Sequence, residues 1–325
     1  MKLLITGGAG FIGSNFIHYW LDKYPEDRIV NLDLLTYAGN LENLKGLEEN
    51  NHYSFIKGNI CDSKIVAQAM EGADLVVHFA AESHVDRSIK DSSNFIRTNI
   101  EGTRILLEEA RRLGGIRFHH VSTDEVFGAL PLIGGKFNEM TAYDPRSPYS
   151  ASKAASDHLV RSYFHTYDLP ITISNCSNNY GPYQYPEKLI PLFITNLIDG
   201  LKVPVYGNGQ NIRDWIHVDD HNLGLDLVIK KGKIGESYCL GGNCEKTNLE
   251  LTENILNLMG KDKTSIKYVA DRLGHDLRYA IDYSKAEREL DWHPEISFSE
   301  GLKRAVNWYQ SNESWWRPLK QHNKI

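Results

Sequence analysis

The sequence has 325 residues, of which 41% are hydrophobic and 10% aromatic, and its formal net charge at pH 7 is −6. This composition is typical of a globular protein and excludes a disordered chain. The acidic balance and the lack of a long basic run argue against a nucleic-acid partner. Glycines interrupt the N-terminus early and no stretch has the length of a membrane span, so we expect no signal peptide and no membrane contact.

The first half of the sequence alternates short apolar runs with amphipathic segments. The runs are bounded by turn residues, as is typical of strands, and the segments between them have a helical period. This alternation predicts an α/β fold, a Rossmann-like doubly wound parallel sheet with helices on both faces. The predicted strands are 2–6, 28–33, 53–58, 74–80, 116–122 and 170–176, and two of the predicted helices are 94–114 and 147–167.

The composition changes after about residue 180, where turn formers, aromatic residues and charges become frequent. We therefore expect an NAD-binding Rossmann domain over residues 1–180 and a smaller, mixed α/β substrate lobe over 181–325. A further strand and helix near 210–235 are expected to return to the first domain.

Three glycines stand where the first predicted strand turns into the first helix. Gly7, Gly10 and Gly13 allow a tight turn, a close approach of the backbone to a pyrophosphate and close packing of the helix on the sheet. Asp33, at the end of the second strand, would bind the adenosine ribose and repel a 2′-phosphate. The pattern predicts an NAD site, and a tight turn without a ligand is the alternative. Positions at the ends of the third and fourth strands fall on the same edge: Asn59, Ile60, Phe79, Ala80, Ala81 and Glu82.

Tyr149 and Lys153 are four residues apart in a predicted helix and therefore share one face. With Thr123 at the end of the preceding strand, they resemble a short-chain dehydrogenase site. A tyrosine has a pKa of about 10, which a nearby ammonium and the positive charge of a nicotinamide would lower. Tyr149 would then take the proton of an alcohol while Thr123 holds the same oxygen.

Asp124 and Glu125 follow Thr123 directly, although a simple dehydrogenation does not need them. Once an alcohol is oxidised to a ketone, the neighbouring C–H becomes acidic, so a base can remove that proton while an acid expels a hydroxyl as water. Two adjacent carboxyl groups can divide these roles, because like charges push their pKa values apart. The alternative is that Asp124 caps a loop and Glu125 faces solvent.

Residues 2–320 resemble the extended short-chain dehydrogenase/reductases, and within them the nucleotide-sugar dehydratases that act on dTDP-glucose. The Thr-Asp-Glu triplet is the most specific element of this likeness, since the related epimerases and decarboxylases lack Asp-Glu at this position. The segments that carry the resemblance are GGAGFIGSNF (7–16), LDLLTYAGN (32–40), AAESHVDRSI (80–89), STDEVFG (122–128), SPYSASKA (147–154), NCSNNYGPYQYPEKLIP (175–191), GNGQNIRDWIHVDDH (207–221) and DRLGHDLRYAID (271–282).

The resemblance implies that a retained NAD oxidises C4 of the glucose ring, that water is lost between C5 and C6, and that the hydride returns to C6. Tyr149 would be the base at the C4 hydroxyl and Lys153 its electrostatic helper. Asp124 would protonate the C6 hydroxyl, and Glu125 would remove the C5 proton. The product, dTDP-4-keto-6-deoxyglucose, would enter deoxysugar biosynthesis, for example that of dTDP-rhamnose.

The resemblance also implies two sets of binding residues. The cofactor set comprises Gly7, Gly10, Phe11, Ile12, Gly13, Asp33, Leu34, Leu35, Thr36, Asn59, Ile60, Phe79, Ala80, Ala81, Glu82, Ser83, Thr98, Tyr149, Lys153 and Asn179. The substrate set comprises Ser83, Thr123, Asn178, Lys188, Pro204, Arg213, Asn248, Asp271, Arg272, Leu273, Gly274 and His275.

A cytoplasmic homodimer is expected, with the helices near 91–113 and 148–167 as its interface. The four cysteines have no zinc-like grouping, so we predict no metal site and expect them to act as small apolar residues in a reducing compartment. They are Cys61, Cys176, Cys239 and Cys244.

Three residues depart from the pattern of the family. Phe127 stands where a tyrosine is expected, so a hydroxyl near the site is predicted to be missing. Leu273 replaces a proline, and Asn59 replaces an aspartate near the adenine. We expect these changes to affect affinity and loop rigidity rather than the type of reaction.

Two alternatives differ in mechanism. A nucleotide-sugar 4-epimerase or decarboxylase on the same fold would have no use for an acid and a base at C5 and C6, so Asp124 and Glu125 argue against it. An NAD-sensing regulator without catalysis would need neither Tyr149 nor Lys153.

Overall fold

The computed structural model describes residues 1–271 and 274–322, over which strands and helices alternate. The predicted site residues Arg272 and Leu273 lie outside the described residues. The strands are β1 (Lys2–Thr6), β2 (Arg28–Asp33), β3 (Tyr53–Lys57), β4 (Leu75–His78), β5 (Arg117–Thr123), β6 (Ile171–Cys176), β7 (Asn178–Tyr180), β8 (Val203–Tyr206), β9 (Ile212–His217), β10 (Ser237–Leu240), β11 (Glu245–Thr247) and β12 (Ile266–Val269).

The helices connect these strands and cover both faces of the main sheet. A π-helical segment (Ile96–Gly102) joins α4 to α5 without a break, and a short 3₁₀ turn (Asp124–Phe127) follows β5. The α-helices are α1 (Phe11–Lys23), α2 (Ser63–Met70), α3 (Val85–Lys90), α4 (Ser93–Phe95), α5 (Thr103–Arg112), α6 (Pro148–Tyr167), α7 (Leu189–Ile198), α8 (Val218–Lys231), α9 (Asn248–Leu258), α10 (Ser284–Leu290), α11 (Phe298–Ser311) and α12 (Glu313–His322).

Seven strands form one parallel sheet in the order β10-β6-β5-β4-β1-β2-β3. The central strands β1 and β4 are buried along almost their whole length and are apolar in their middle, as expected for strands that helices cover on both faces. The strand order reverses between β1 and β4, and ligands of doubly wound sheets bind beyond the carboxyl ends of the strands at this point. The predicted Rossmann-like fold is confirmed.

Two small sheets lie outside the main one. One contains β11, β9 and β7, and the other pairs β12 with β8. The segment near 210–235, which was expected to return to the first domain, is divided between a small sheet and the main sheet. Strand β9 belongs to a small sheet, whereas α8 packs against α1 and the next strand, β10, extends the main sheet beside β6.

Three apolar clusters stabilise this arrangement. One contains Trp20 on α1, a second contains Phe118 on β5, and a third joins Tyr309 and Trp316 of the C-terminal helices to α7 and α9. All four side chains are fully buried, and burial of a side chain of this size contributes about 2–3 kcal/mol relative to exposure. None of the described helices is long and apolar enough to cross a membrane.

Candidate active site

A cleft of about 330 Å³ opens at the carboxyl ends of β1, β2, β4, β5 and β6. It continues into the segment around β7, so the main sheet supplies one wall and the following loops supply the other. The predicted glycine turn, the Thr-Asp-Glu triplet and the Tyr/Lys pair all line this one cleft.

The turn between β1 and α1 is built on glycines for a steric reason. Gly7 has a φ of +72°, and a Cβ atom on it would lie 2.6 Å from the backbone N and Cα of Ala80. A Cβ on Gly13 would lie 2.5 Å from the carbonyl oxygen of Gly7. Because these positions carry no side chains, a ligand can approach the backbone N–H groups at the N-terminus of α1. This arrangement favours binding of the phosphate groups of a dinucleotide.

Asp33 ends β2 beside this turn. Its Oδ2 accepts a hydrogen bond from the backbone N–H of Ala9 at 2.9 Å, and its Oδ1 accepts one from Leu35 at 2.8 Å. Burial raises the pKa of Asp33, and the two N–H groups lower it, though by less. These bonds hold the carboxylate at the rim of the cleft, where a ribose hydroxyl can donate to its remaining lone pairs.

The residues of the predicted cofactor set lie along the cleft, with one exception. Leu35 does not line it, and its side chain packs instead against the apolar cluster around Trp20. Its backbone has a φ of +57°, which reverses the chain after β2. The charge at Asp33, the open helix N-terminus and the shape of the cleft fit NAD.

Thr123 marks the point where β5 ends and the 3₁₀ turn begins. Its Oγ1 accepts a hydrogen bond from the backbone N–H of Glu125 at 3.2 Å and donates one to Asp124 Oδ1 at 3.2 Å. The side-chain amide of Asn175 on β6 donates to the Thr123 carbonyl at 3.2 Å. The triplet is thus held from both the turn and the adjacent strand.

Asp124 is only 2% exposed, and its Oδ2 has no hydrogen-bond partner among residues 1–271 and 274–322. Burial raises the pKa of Asp124 well above its ordinary value, and the neighbouring charge of Glu125 raises it further. The protonated form is therefore favoured, as an acid in a catalytic pair requires.

Tyr149 and Lys153 lie in the first turns of α6. Ser147 caps this helix, since its hydroxyl accepts a hydrogen bond from the N–H of Ser150 at 3.0 Å, and Pro148 occupies the first helical position. Both features favour a helix start at this point. One turn separates the two side chains, so both reach the cleft.

A buried polar network lies behind Lys153. Its Nζ donates to the Val121 carbonyl at 2.9 Å and lies 3.4 Å from His120 Nε2, which is 3.1 Å from Asp157 Oδ1. Burial lowers the pKa of Lys153, and the carboxylate of Asp157 opposes that effect. Asp157, one helical turn after Lys153, therefore provides a counter-charge for the buried ammonium, a role that the sequence pattern did not predict.

The surroundings of Tyr149 do not by themselves make it a base. Burial raises its pKa well above the ordinary value, the charge of Glu125 adds to this, and a hydrogen-bond interaction with Thr123 opposes it. A phenolate at neutral pH therefore requires further positive charge, which a bound oxidised nicotinamide would supply.

The predicted substrate residues fall into two groups. Ser83, Thr123, Asn178 and Lys188 line the cleft, and Asn178 Oδ1 is buried without a hydrogen-bond partner in the described part of the chain. The remaining described members lie outside the cleft lining, around β8, β9, the start of α9 and the loop after β12: Pro204, Arg213, Asn248, Asp271, Gly274 and His275.

Arg213 connects this second group to Asp124. Its guanidinium lies over the ring of Tyr279, 4.2 Å from the centroid, and donates to the carbonyl of Asp276 at 3.1 Å. Its charge lowers the pKa of Asp124, though by less than burial raises it. Nearby, His275 Nδ1 lies 2.7 Å from Asp271 Oδ1.

Phe127, where the family pattern has a tyrosine, lies among aromatic side chains rather than in the cleft. Its ring is 4% exposed and packs 5.3 Å from Phe137 and 5.2 Å from Tyr143, and it does not line the cleft. The departure is therefore accommodated in a small apolar cluster.

Several cleft residues were not predicted from the sequence. Tyr37 and Glu187 line it, and Arg87 lies 3.7 Å from the Tyr37 ring centroid and 3.1 Å from Glu187. Asn99, in the π-helical segment, exchanges hydrogen bonds with the backbone of Glu82. Tyr37 and Glu187 belong to segments that carry the family resemblance, 32–40 and 175–191, and their membership of these segments was the only indication in the sequence that they lie at the site.

Comparison with known proteins decides the family. The sequence model of the family described as GDP-mannose 4,6 dehydratase matches residues 4–305. A dTDP-glucose 4,6-dehydratase of Escherichia coli is 49% identical, over 98% of this chain and 96% of that protein. The chain belongs to the dTDP-glucose 4,6-dehydratase family. A crystal structure of the family member DesIV from Streptomyces venezuelae, with NAD and TYD bound, has a TM-score of 0.96 and 51% identity, covering 98% of this chain and all of that one.

The epimerases are more distant from the family. A solved UDP-glucose 4-epimerase of Thermotoga maritima has a TM-score of 0.89 but only 28% identity, covering 96% of this chain and all of that one. The fold is thus shared, whereas the sequence agrees far better with the dehydratases. This difference favours the main prediction over the epimerase alternative.

Proposed function

We propose that this protein is an NAD-dependent hydro-lyase that converts dTDP-glucose to dTDP-4-keto-6-deoxyglucose and water. One observation carries the proposal: Asp124 and Glu125 lie in the same cleft as Tyr149 and the dinucleotide turn. An alcohol oxidation alone needs no second acid and base. Oxidation followed by elimination needs both, next to the carbon that has been oxidised.

The first stage activates the C4 hydroxyl of the glucose ring. NAD, when bound, supplies the hydride acceptor at C4 and the hydride donor at C6. Tyr149 removes the proton of the C4 hydroxyl, and Thr123 binds the same oxygen. Lys153 adds positive charge behind the site, with its ammonium held by the Val121 carbonyl. The dinucleotide is NAD rather than NADP, because the carboxylate of Asp33 would repel a 2′-phosphate.

The second stage removes water from C5 and C6. Glu125 takes the C5 proton, which the C4 ketone has made acidic, and later returns it to C5. Asp124 protonates the C6 hydroxyl, so that it leaves as water. The burial that raises the pKa of Asp124 and the hydrogen bond that Asp124 accepts from Thr123 support this division of roles.

The nucleotide end of the substrate would rest on the residues toward the C-terminal lobe. Lys188 and Arg213 provide a point charge and a planar fork for the diphosphate. The buried oxygens of Asn178 and Asn248 have no hydrogen-bond partner within the described residues and are available to a ligand. The predicted group around His275 lies next to Arg213 in this lobe.

A substrate comparison tests the function. The purified protein is incubated separately with dTDP-glucose, UDP-glucose and GDP-mannose, and the products are examined by mass spectrometry. We expect dTDP-glucose to lose the mass of one water and to acquire a ketone, without added reductant. An epimerised product of unchanged mass, or conversion of another sugar nucleotide only, would contradict the proposal.

We also propose a cytoplasmic homodimer that supplies deoxysugar synthesis, such as the dTDP-rhamnose route. The free state of all four cysteines is compatible with a reducing compartment. The packing of α5 and α6 on one side of the sheet, with Ile96 54% exposed beside them, supports an interface there. Light scattering in solution measures the molar mass and would contradict the dimer if it gave that of one chain.

A further inference from the structure

The glycine turn of the dinucleotide site is connected to the last helix of the chain through one buried asparagine. The side-chain NH₂ of Asn43 donates to the carbonyl oxygen of Ala9 at 2.9 Å, and Asn43 Oδ1 accepts a hydrogen bond from the indole N–H of Trp315 at 2.9 Å. Asn43 is 1% exposed. Trp315 belongs to α12, which lies beyond the residues 4–305 that the family model matches.

Ala9 lies in the middle of the glycine turn between β1 and α1. Its N–H donates to Asp33 Oδ2 at 2.9 Å, and its carbonyl oxygen accepts a second hydrogen bond from the backbone N–H of Asn40 at 3.0 Å. The orientation of the backbone at Ala9 determines how the chain enters α1, whose first turn lines the cleft. Asn43 therefore supports both the backbone that faces the phosphates and the carboxylate expected to bind the ribose.

Trp315 also packs against the segment that forms the other wall of the cleft. Its ring centroid lies 5.9 Å from that of Tyr183, and Trp308 lies 5.0 Å from both rings. The two residues that follow Tyr183 line the cleft. The indole N–H of Trp308, in contrast to that of Trp315, has no hydrogen bond among residues 1–271 and 274–322.

The hydrogen bond from Trp315 has consequences for the turn because Asn43 is buried. Without the indole N–H, Asn43 Oδ1 would lose its partner at a position that water hardly reaches. The amide could find another partner only by rotating or shifting, and either movement would take its NH₂ group away from the Ala9 carbonyl. A ligand that binds only the native turn would then bind more weakly, since part of its binding free energy would be used to restore the turn.

We propose that Trp315 is a positioning residue for the dinucleotide, which acts through Asn43 to hold the glycine turn in the conformation that binds NAD. Trp315 itself takes no part in the reaction. The inference rests on the use of NAD in the proposed function and adds a second source of cofactor affinity. Although α12 belongs to the region predicted as the substrate lobe, it contributes to the cofactor site.

Trp315→Phe tests the link, because it removes the indole N–H and keeps an aromatic ring. Trp308→Phe is the matched control, since it makes the same change in the same aromatic cluster without removing a described hydrogen bond. After removal of bound NAD, equilibrium dialysis over a series of NAD concentrations gives the Kd of each protein. We expect Trp315→Phe to raise the Kd about threefold to tenfold, as for the loss of one neutral hydrogen bond. Equal Kd values in the two variants would overturn the proposal.

Asn43→Ala distinguishes positioning through Asn43 from a general loss of stability. We expect Trp315→Phe to raise the Kd in the wild-type background but to have no further effect in the Asn43→Ala background. An equal rise in both backgrounds would overturn the route through Asn43. Urea unfolding shows whether each variant is folded, and the comparison with Trp308→Phe decides alone if Asn43→Ala is not.

The dialysis measures binding without turnover, so it separates this proposal from the proposed function. A wild type that binds NAD but does not convert dTDP-glucose would contradict the function, whereas the Kd values of the variants would still decide the role of Trp315.

Discussion

Asp124 and Glu125 are neighbours in the chain, but the fold gives them different surroundings. Asp124 is almost fully buried, whereas Glu125 is partly accessible at the cleft. Burial and the nearby like charge raise the pKa of Asp124 well above its ordinary value, which favours the protonated form. One carboxyl group can then act as an acid and its neighbour as a base.

We expect Glu125→Gln to abolish dehydration without removing the cofactor. The amide is nearly isosteric with the carboxylate but cannot accept the C5 proton, and loss of a general base costs about 10²–10⁴-fold in rate. The rate is measured as the appearance of the dehydrated sugar by mass spectrometry, and NAD content is measured after gel filtration. Glu26→Gln, the same change at an exposed position, is the matched control. A Glu125→Gln rate within threefold of the control's, about 0.7 kcal/mol in barrier height, would sink the assigned role.

The turn between β1 and α1 shows how a short element depends on a distant one. Gly7 is restricted both by its positive φ and by the backbone of Ala80 at the end of β4. Strands β1 and β4 are adjacent in the sheet, so a side chain at Gly7 would displace the backbone at the end of β4, which lines the dinucleotide site. The π-helical segment, which presents Thr98 and Asn99, faces the same strand end.

We expect Gly7→Ala to lose bound NAD and also to lower the free energy of unfolding. The control is Gly46→Ala, since Gly46 has a φ of +92° and a Cβ atom there would meet no described atom within 4 Å. The control should cost only about 1–2 kcal/mol for the left-handed backbone and should keep its NAD. NAD content and urea unfolding of both variants provide the measurements. Equal NAD retention in both would show that the contact with Ala80 is unimportant.

At the scale of the whole molecule, buried neutral histidines limit stability in acid. His78, His119, His120 and His221 are at most 1% exposed, and burial lowers the pKa of each one. For His221 the pKa falls from 6.5 to about 3. Below pH 6.5 the unfolded chain binds a proton at His221, whereas the folded chain binds it only near pH 3. The free energy of unfolding therefore decreases as the pH falls from 6.5 toward 3.

We expect His221→Leu to flatten the loss of stability in acid. One such histidine contributes a slope of about 1.4 kcal/mol per pH unit between roughly pH 6 and pH 4, and leucine removes it. Urea unfolding at a series of pH values measures the slope. Asn222→Leu is the control, because it replaces a buried polar side chain that does not titrate. Identical slopes in wild type and His221→Leu would mean that His221 is protonated in the folded state.

Local patterns were enough to predict much of the main sheet. The six predicted strands coincide with β1 to β6 within two residues at each end, because each is an apolar run between turn residues. The edge strand β10 was not predicted. It has only four residues, and its partner β6 lies about sixty residues earlier in the chain. Leu35, one of the residues that the resemblance places at the cofactor, has a φ of +57° and is not among the residues that line the cleft.

The sequence by itself determined the features that depend on spacing along the chain. These are the strand–helix alternation, the glycine turn before α1, and Tyr149 and Lys153 on one face of a helix. Only the tertiary structure decided the raised pKa of Asp124, the counter-charge of Asp157 and the contacts of the Thr123 hydroxyl. The physical reason is that burial and hydrogen bonding in a site depend on groups from distant segments, which meet only when the sheet is assembled.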